Sequence, residues 1–257
     1  MKYLITGQNG FIGTAITRYL RERGDIVVGT KEKTVSQIIS TFPYPEIDYI
    51  INLSAYGNHY DQKDFQKTVN ANILNTYNLL EAAKDTDYKL FYNFSTSSVT
   101  LKNQTYYSIT KFCGEQLAAM YDRVVNIRPY SVYGPGEAEH RFIPTVIKHL
   151  LSGEVMQLDE HATHDWIYID SFVEAVYFIK VCPDLFRFKP VEIGTGIMTT
   201  NYEVVRMLEQ ISGKKLNYEP AKLRTYDNEN WVCKNGVKDV GLFNGLKLTY
   251  ESIINAK

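Results

Sequence analysis

Residues 6–13 read TGQNGFIG, directly after the apolar run KYLI (2–5). Gly7, Gly10 and Gly13 recur every third residue. Glycine loses more conformational freedom on folding than any other residue, so three at fixed spacing mark a backbone that something must approach closely. KYLIT (2–6) has the length and apolarity of a buried strand. FIGTAITRYLRERG (11–24) places Ile12, Ile16, Tyr19 and Leu20 at helical spacing and stops at Gly24. DIVVGT (25–30) reads as a second strand. Strand, glycine-rich turn, helix and strand make a βαβ unit, whose parallel strands call for a right-handed crossover.

The alternation continues. IDYIINLSA (47–55) predicts a strand and ANILNTYNLLEAAKD (71–85) an amphipathic helix. KLFYNFSTSS (89–98) predicts a strand and YYSITKFCGEQLAAMY (106–121) a helix. RVVNIRPYSVYG (123–134) reads as a strand running into a loop. Such alternation specifies a doubly wound α/β sheet. Beyond residue 135 the pattern loosens into helix-like pieces at 142–152, 170–181 and 201–212, a strand at PVEIGTG (190–196) and a polar, irregular tail.

Composition removes several function classes. The chain has 257 residues, 44% of them hydrophobic, so it can fill a full core. Lys+Arg 28 against Asp+Glu 29 leaves net charge −1, which points to neither nucleic acid nor an anionic membrane. Cys113, Cys182 and Cys233 are far apart and form no CxxC, so neither zinc nor a disulfide framework is indicated, and the histidines show no metal spacing. No stretch reaches the ~20 apolar residues of a membrane span. The chain starts on a strand-like run without a leader, and a cytoplasmic protein is expected.

In a βαβ unit the three glycines make the tight turn, let the backbone reach a pyrophosphate, and pack the helix close to the sheet. The helix N-terminus offers its free N–H groups to the phosphates. The alternative is a loop that merely turns tightly; the strand before and the helix after favour a dinucleotide. The spacing GxxGxxG resembles the short-chain dehydrogenase/reductase superfamily. The run TGxxGFIG resembles its extended branch, the NAD-dependent epimerase/dehydratase family acting on nucleotide sugars.

YSITK (107–111) supplies the Tyr-xxx-Lys that this resemblance needs, with Tyr107 and Lys111 on one helix face. A tyrosine hydroxyl, with a reference pKa near ~10, is a poor base at neutral pH. A nearby lysine ammonium and the charge of an oxidised nicotinamide favour the phenolate. The tyrosine then passes a proton to or from a sugar oxygen while hydride moves. Tyr106 lacks such a partner, since its i+4 neighbour is Thr110. The run Ser95-Thr96-Ser97-Ser98 stands at a strand end, where α/β sheets bind ligands. Aligned through Phe94 on the family's FxSSxxVYG, which this run resembles, Ser97 is the implied catalytic hydroxyl.

The resemblance covers most of the chain. NLSAYG (52–57) is similar to the segment lining the adenosine and pyrophosphate, and NILNTYNLLEAA (72–83) to the family's NvxGTxNLLEAA. IRPYSVYGPGE (127–137), FIP (142–144), THDWIYIDSFVEAV (163–176) and EIGTG (192–196) match family segments in order. The implied cofactor residues are Gly7, Asn9, Gly10, Phe11, Ile12 and Gly13, then Thr30 and Lys31, then Leu53, Ser54 and Ala55, with Asn72, Tyr107, Lys111, Pro129 and Val132. The implied substrate residues are Ser97, Ser131, Arg141 and His164.

Several departures refine the expectation. The second strand ends without the acid that accepts adenosine ribose hydroxyls, and Thr30, Lys31 and Lys33 suit a 2′-phosphate, so NADP or NAD is expected. A third family strand is expected to be missing before Ile47, and the loop between Ser97 and Tyr107 is short. The dehydratase's Thr-Asp-Glu is absent, which weighs against dehydration. Ser131 replaces the asparagine of NVYG and His164 the diphosphate-clamping arginine, a change that is not conservative.

The expected fold is a Rossmann-type doubly wound sheet over residues 1–135 with a small substrate cap over 136–257, residues near 165–195 returning to the sheet. The expected activity is an NAD(P)-dependent 4-ketoreductase of a nucleotide-linked sugar, with a 4-epimerase as the alternative and a non-catalytic dinucleotide sensor as the second alternative. AYGNHYDQKD (55–64) resembles the 3,6-dideoxyhexose synthases, which reduce a CDP-linked 4-keto sugar. Family members often pair through two helices, here 71–85 and 106–121, so a homodimer is the expectation by resemblance.

Overall fold

Short apolar runs bounded by glycines and polar residues become strands because only a sheet satisfies their backbone while both faces are buried. In the computed structural model, described over residues 1–28, 37, 46–59, 61–183, 189–222 and 231–256, eleven strands occur, the central ones of this kind. They are β1 (Lys2–Thr6), β2 (Ile26–Val28), β3 (Tyr49–Asn52), β4 (Leu90–Phe94), β5 (Val124–Pro129), β6 (Ser131–Tyr133), β7 (Met156–Leu158), β8 (Thr163–Tyr168), β9 (Val191–Ile193), β10 (Met198–Thr200) and β11 (Tyr218–Pro220).

One sheet has the order β2-β1-β3-β4-β5-β9, parallel across β2, β1, β3, β4 and β5. This is the Rossmann-type α/β fold that the sequence predicts, with β1 between β2 and β3 at the point where strand order reverses. The chain divides into two units. Unit 1 comprises Met1–Thr100, Gln104–Pro129 and Ala175–Glu192; unit 2 comprises Leu101–Asn103, Tyr130–Glu174 and Ile193–Lys257.

Within unit 1, helices Phe11–Glu22 and Tyr106–Ala118 and the stretch Phe65–Ala83 accompany the sheet. Leu4, Ile50, Leu79, Leu80, Phe91 and Ala118 form its buried apolar centre. A polar row also crosses this sheet. Thr6, Asn52, Asn93 and Asn126 are register partners on β1, β3, β4 and β5. Thr6 Oγ1 donates to Asn52 Oδ1 (2.7 Å), Asn52 Nδ2 to Asn93 Oδ1 (3.2 Å), Asn93 Nδ2 to Asn126 Oδ1 (2.8 Å), and Asn126 Nδ2 to the Glu115 carbonyl (3.1 Å). Each buried amide is thereby satisfied, as a buried polar group must be.

Three sequence expectations are corrected. The 71–85 helix begins earlier, at Phe65, because Asp64 caps it by accepting from the Lys67 amide (3.0 Å). A π-turn at Asn70–Leu74 interrupts the 3.6-residue period and hides the first half from periodicity. The run 123–134 is two strands, since β6 leaves the large sheet for a second one ordered β10-β8-β6. The break follows Pro129, which has no N–H, and Tyr130 donates its amide to Ile193 (3.0 Å).

The tail is not irregular: Leu242–Asn255 is a helix. Asn244, Gly245 and Thr249 are poor helix formers, so propensity conceals it. Packing supplies what propensity lacks. Leu246 and Thr249 are fully buried, and a Cβ on Gly245 would overlap the Tyr133 hydroxyl, which donates to the Leu242 carbonyl (3.2 Å). The expectation of a missing family strand before Ile47 falls outside the described residues, as do Thr30, Lys31 and Lys33.

Candidate active site

The glycine turn is built by backbone contact. Gly7 has φ +70, a left-handed conformation that favours glycine. A Cβ there would lie 2.9 Å from the Leu53 carbonyl carbon and the Ser54 nitrogen, so the chain ends after β1 and β3 touch directly. Gly13 has a different job from the one expected. A Cβ there would overlap the Gly7 carbonyl oxygen, so this glycine packs the helix on the turn rather than on the sheet. Gly10 is the N-cap, with ordinary dihedrals, no side-chain cap and no acid in the first turn. Asn9 and Gly10 are exposed, and Phe11 and Ile12 half-buried. An uncapped helix start in a glycine cradle fits a pyrophosphate.

The strand ends add the remaining cofactor candidates. Leu53 and Ser54 are half-buried and Ala55 exposed, and the Ser54 amide donates to Thr6 Oγ1 (3.2 Å). Asn72 braces rather than reaches outward. Its Oδ1 accepts from the Tyr56 amide (3.0 Å), and its Nδ2 donates to the Tyr56 carbonyl (2.9 Å) and Thr110 Oγ1 (2.9 Å). The amide is consumed inside unit 1, which is a positioning role. Pro129 closes β5 in the same unit, whereas Val132 lies on β6 in unit 2.

Ser97, Tyr107 and Lys111 all belong to unit 1. Ser97 opens a short 3-10 turn after β4 and is buried. Tyr107 is the second residue of helix Tyr106–Ala118, whose start is fixed by a capping box between Thr105 and Ser108. A Cβ on Gly57 would lie 3.5 Å from Tyr107 Cβ, so the loop after β3 runs against this tyrosine. Tyr106 is 61% exposed and packs on Phe65 with ring centroids 4.8 Å apart.

Lys111 follows Tyr107 by one turn and is only 4% exposed. Its ammonium has no hydrogen bond or ion pair among the described residues. Burial pulls its pKa down to about 8, and the Glu115 charge partly opposes that fall. A buried cation without a partner is costly unless something else supplies one. Glu115, four residues on, is bound by Arg128 through Nε (3.0 Å) and Nη2 (2.6 Å). The sequence reading overlooked Glu115 and Arg128. The i+4 spacing from Lys111 to Glu115 was the available signal; the Arg128 contact is nonlocal.

In unit 2 the two unusual positions meet. Ser131 Oγ lies 2.8 Å from His164 Nδ1. The His164 ring centroid is 4.5 Å from that of Trp166 and 5.9 Å from that of Trp231. Trp166 also stacks on Phe142 (5.9 Å), a packing contact. Asp165, between His164 and Trp166, is buried and accepts from the amides of Thr195 (2.7 Å), Gly196 (2.9 Å) and Cys233 (2.9 Å), which ties three segments together. Arg141 is the N-cap of helix Phe142–Ser152 and half-buried, while His140 and Lys148 are exposed. One carboxyl oxygen of Glu137 is buried without a partner, and burial pushes its pKa up to about 8, with Arg141 opposing.

Among the described residues no helix is long and apolar enough to cross a membrane, and no three His, Cys, Asp or Glu gather as metal ligands. The chain is 26% identical over 269 residues to an uncharacterized UDP-glucose epimerase of Bacillus subtilis (strain 168), covering 84% of this chain and 83% of that one. It is 24% identical over 254 residues to the CDP-abequose synthase of Yersinia pseudotuberculosis, covering 87% and 89%. Its fold matches the UDP-glucuronic acid 4-epimerase from Bacillus cereus, solved with UDP-glucuronic acid and NAD, at TM-score 0.76, 24% identity and full coverage of both chains. The model of the NAD dependent epimerase/dehydratase family matches residues 3–185, which include the glycine turn, Ser97, Tyr107 and Lys111. The chain therefore belongs to the NAD-dependent epimerase/dehydratase family.

Proposed function

We propose that the protein is an NAD(P)-dependent oxidoreductase acting at C4 of a nucleotide-linked sugar, as a 4-ketoreductase. The observation that carries the reading is Lys111: a residue only 4% exposed, one turn from Tyr107, whose ammonium has no internal partner among the described residues. A dinucleotide sensor would have no use for a tyrosine so placed. The nicotinamide, when bound, supplies or accepts the hydride. The glycine turn and the uncapped start of helix Phe11–Glu22 hold its pyrophosphate. Lys111 holds a ribose hydroxyl and favours the Tyr107 phenolate electrostatically. Tyr107 moves the proton at its hydroxyl, to or from the sugar oxygen, and Ser97 hydrogen-bonds that same oxygen. Ser131, His164 and Arg141 contact the sugar nucleotide.

The reductase reading rests on the Ser131–His164 pair, which takes up the two positions where the family keeps stronger nucleotide contacts, and on the short loop before Tyr107. An epimerase must anchor the nucleotide while the 4-keto sugar turns over; a reductase needs one pose. Similarity to UDP-sugar epimerases favours the second reading, a 4-epimerase. Stoichiometry decides between them. With a 4-keto sugar nucleotide and NADPH, a reductase consumes one NADPH per product. Interconversion of two 4-hydroxy epimers without added cofactor and without net absorbance change would establish the epimerase instead.

Lys31 stands where the family has an acid, so NADP(H) should bind at least as well as NAD(H), and Lys31→Ala should lower only the former. Homodimerisation is also proposed. Phe65, Leu74, Tyr77, Tyr106, Ile109 and Phe112 are exposed apolar residues on the two helical stretches Phe65–Ala83 and Tyr106–Ala118 of unit 1. Sedimentation of the wild type against Phe112→Glu tests it: the variant should be monomeric.

A further inference from the structure

Lys111 has a second neighbour whose role the reaction does not require. Glu115 lies one turn further along the same helix face and is 1% exposed. Its carboxylate does not close on Lys111. It is held instead by Arg128 in a two-pronged pair, at 3.0 Å from Nε and 2.6 Å from Nη2. Arg128 in turn has the Glu192 carboxylate 4.0 Å from Nη1. The Glu115 main chain is pinned too, since its carbonyl accepts from Asn126 at the end of the polar row (3.1 Å).

The elements packed most closely on helix Tyr106–Ala118 bring Arg128 and otherwise no unpaired charge. They are the Phe65–Ala83 stretch, the Ser97–Thr100 turn, β4 and β5. β4 and the Ser97–Thr100 turn contain no ionisable acid or base except the Tyr92 phenol, and β5 contributes only Arg128. On the Phe65–Ala83 stretch, Lys67 is paired with Asp64 (3.7 Å) and Glu81 with Lys84 (2.9 Å) and the Tyr121 hydroxyl. On the helix itself the only charged residues are Lys111 and Glu115, beside the phenols of Tyr106 and Tyr107.

We propose that Glu115 is a positioning residue that keeps the buried Lys111 ammonium charged, and that Arg128 restrains Glu115 so that the ammonium stays available to a ligand instead of closing onto the carboxylate. Like charges and unlike charges act on a buried amine in opposite directions. Removing the Glu115 charge leaves Lys111 with burial and the unpaired Arg128 cation, both of which favour the neutral amine, and its proton is lost at lower pH. Removing Arg128 frees Glu115 to bond Lys111, and the proton is held to higher pH. A purely structural role for the pair would not produce opposite signs.

The inference rests on reading Lys111 as a ligand-binding group, and its test is made without ligand. The full chain is labelled with lysine bearing 13C at Cε. The Lys111 resonance is identified by its loss in Lys111→Arg, and its titration is followed in the unliganded protein. The wild-type midpoint should lie near pH 8, as burial dictates. In Glu115→Gln it should fall by roughly one unit, a tenfold change in the ratio of charged to neutral amine. In Arg128→Met it should rise by a comparable amount. Breaking a buried pair is strongly destabilising. If a single variant fails to fold, Glu115→Gln/Arg128→Met removes both charges and should still titrate below wild type. The high-pH limb of NADPH affinity should move the same way in each variant. An unchanged midpoint, or shifts of one sign in both single variants, overturns the proposal. A shifted midpoint with unaltered turnover in Tyr107→Phe would instead leave this proposal standing and remove the catalytic reading.

Discussion

Lys111 and His164 are opposite cases. Lys111, in unit 1, is almost fully buried and has no hydrogen-bond partner of its own among the described residues. His164, in unit 2, has Ser131 on Nδ1 and two indole rings beside it. The first group carries its need for a partner into the folded state, at an energetic cost. The second is already engaged by its own chain. On the proposed reading, reaction chemistry at Lys111 would follow from what the fold leaves unsatisfied. Recognition at His164 would follow from how side chains engage one another, and a ligand there would compete with contacts that already exist.

The sharpest way to break this contrast is Tyr107→Phe. A positioned acid–base group is worth ~10²–10⁴-fold, so kcat should fall by that much while dinucleotide affinity stays nearly intact. Tyr106→Phe should be mild. Less than a tenfold loss in Tyr107→Phe, measured by steady-state kinetics, would mean that Lys111 serves some other group.

Gly13→Ala comes next. Its Cβ would overlap the Gly7 carbonyl oxygen, backbone that cannot swing away. Overpacking of this kind costs about 1–3 kcal/mol, and calorimetry should show a lowered Tm together with weakened NADPH binding. A variant with wild-type Tm and affinity would show that the turn tolerates movement.

The third concerns unit 2. If Ser131 and His164 act as one unit, Ser131→Ala and His164→Ala should each weaken several-fold the binding of whichever of UDP, CDP, GDP or dTDP the wild type holds most tightly, and the double variant should be little worse than either. The coupling expected for residues in direct contact is about 0.5–3 kcal/mol. Strict additivity by calorimetric titration would show two independent residues.

The smallest effect is on stability. Glu137 has its folded-state pKa raised to about 8, above the value of an unfolded glutamate. Between those values the folded state holds the extra proton, so the group lowers stability as pH rises from the ordinary carboxylate range toward 8. Glu137→Gln should therefore raise Tm by a few degrees at pH 8 and leave it unchanged near pH 4. A gain of equal size at both values would trace the effect to packing instead of charge.

What could be read from the sequence follows the same division. The glycine turn, the strand ends and the Tyr107–Lys111 spacing are local patterns, and the fold follows from them. Helix Phe142–Ser152 is likewise bounded as periodicity predicts, because Gly153 closes it in a left-handed conformation (φ +77). The missed features are nonlocal. Helix Leu242–Asn255 is made by packing against Tyr133, over a hundred residues away, as the Tyr133–Leu242 hydrogen bond shows (|i−j| 109). The Glu115–Arg128 pair and the Ser131–His164 pair join different elements, and nothing in the spacing of either residue announces its partner. Asn72 looks like a ligand contact in a linear motif, yet its amide is spent on Tyr56 and Thr110.

The row Thr6–Asn52–Asn93–Asn126 bears on how the chain finds its pairing at all. β3, β4 and β5 are short apolar strands of similar composition, and apolar contact alone discriminates poorly among ways of aligning them. Sliding one strand by a single residue turns its amide to the other face. Sliding it by two keeps the face but parts the amide from its amide partners. Either error leaves buried groups without partners, at roughly 1–3 kcal/mol for each. The asparagines thus behave as alignment pegs. They contribute little to the depth of the native well and much to the height of the mispaired ones, so that searching strands reject wrong neighbours before the sheet closes.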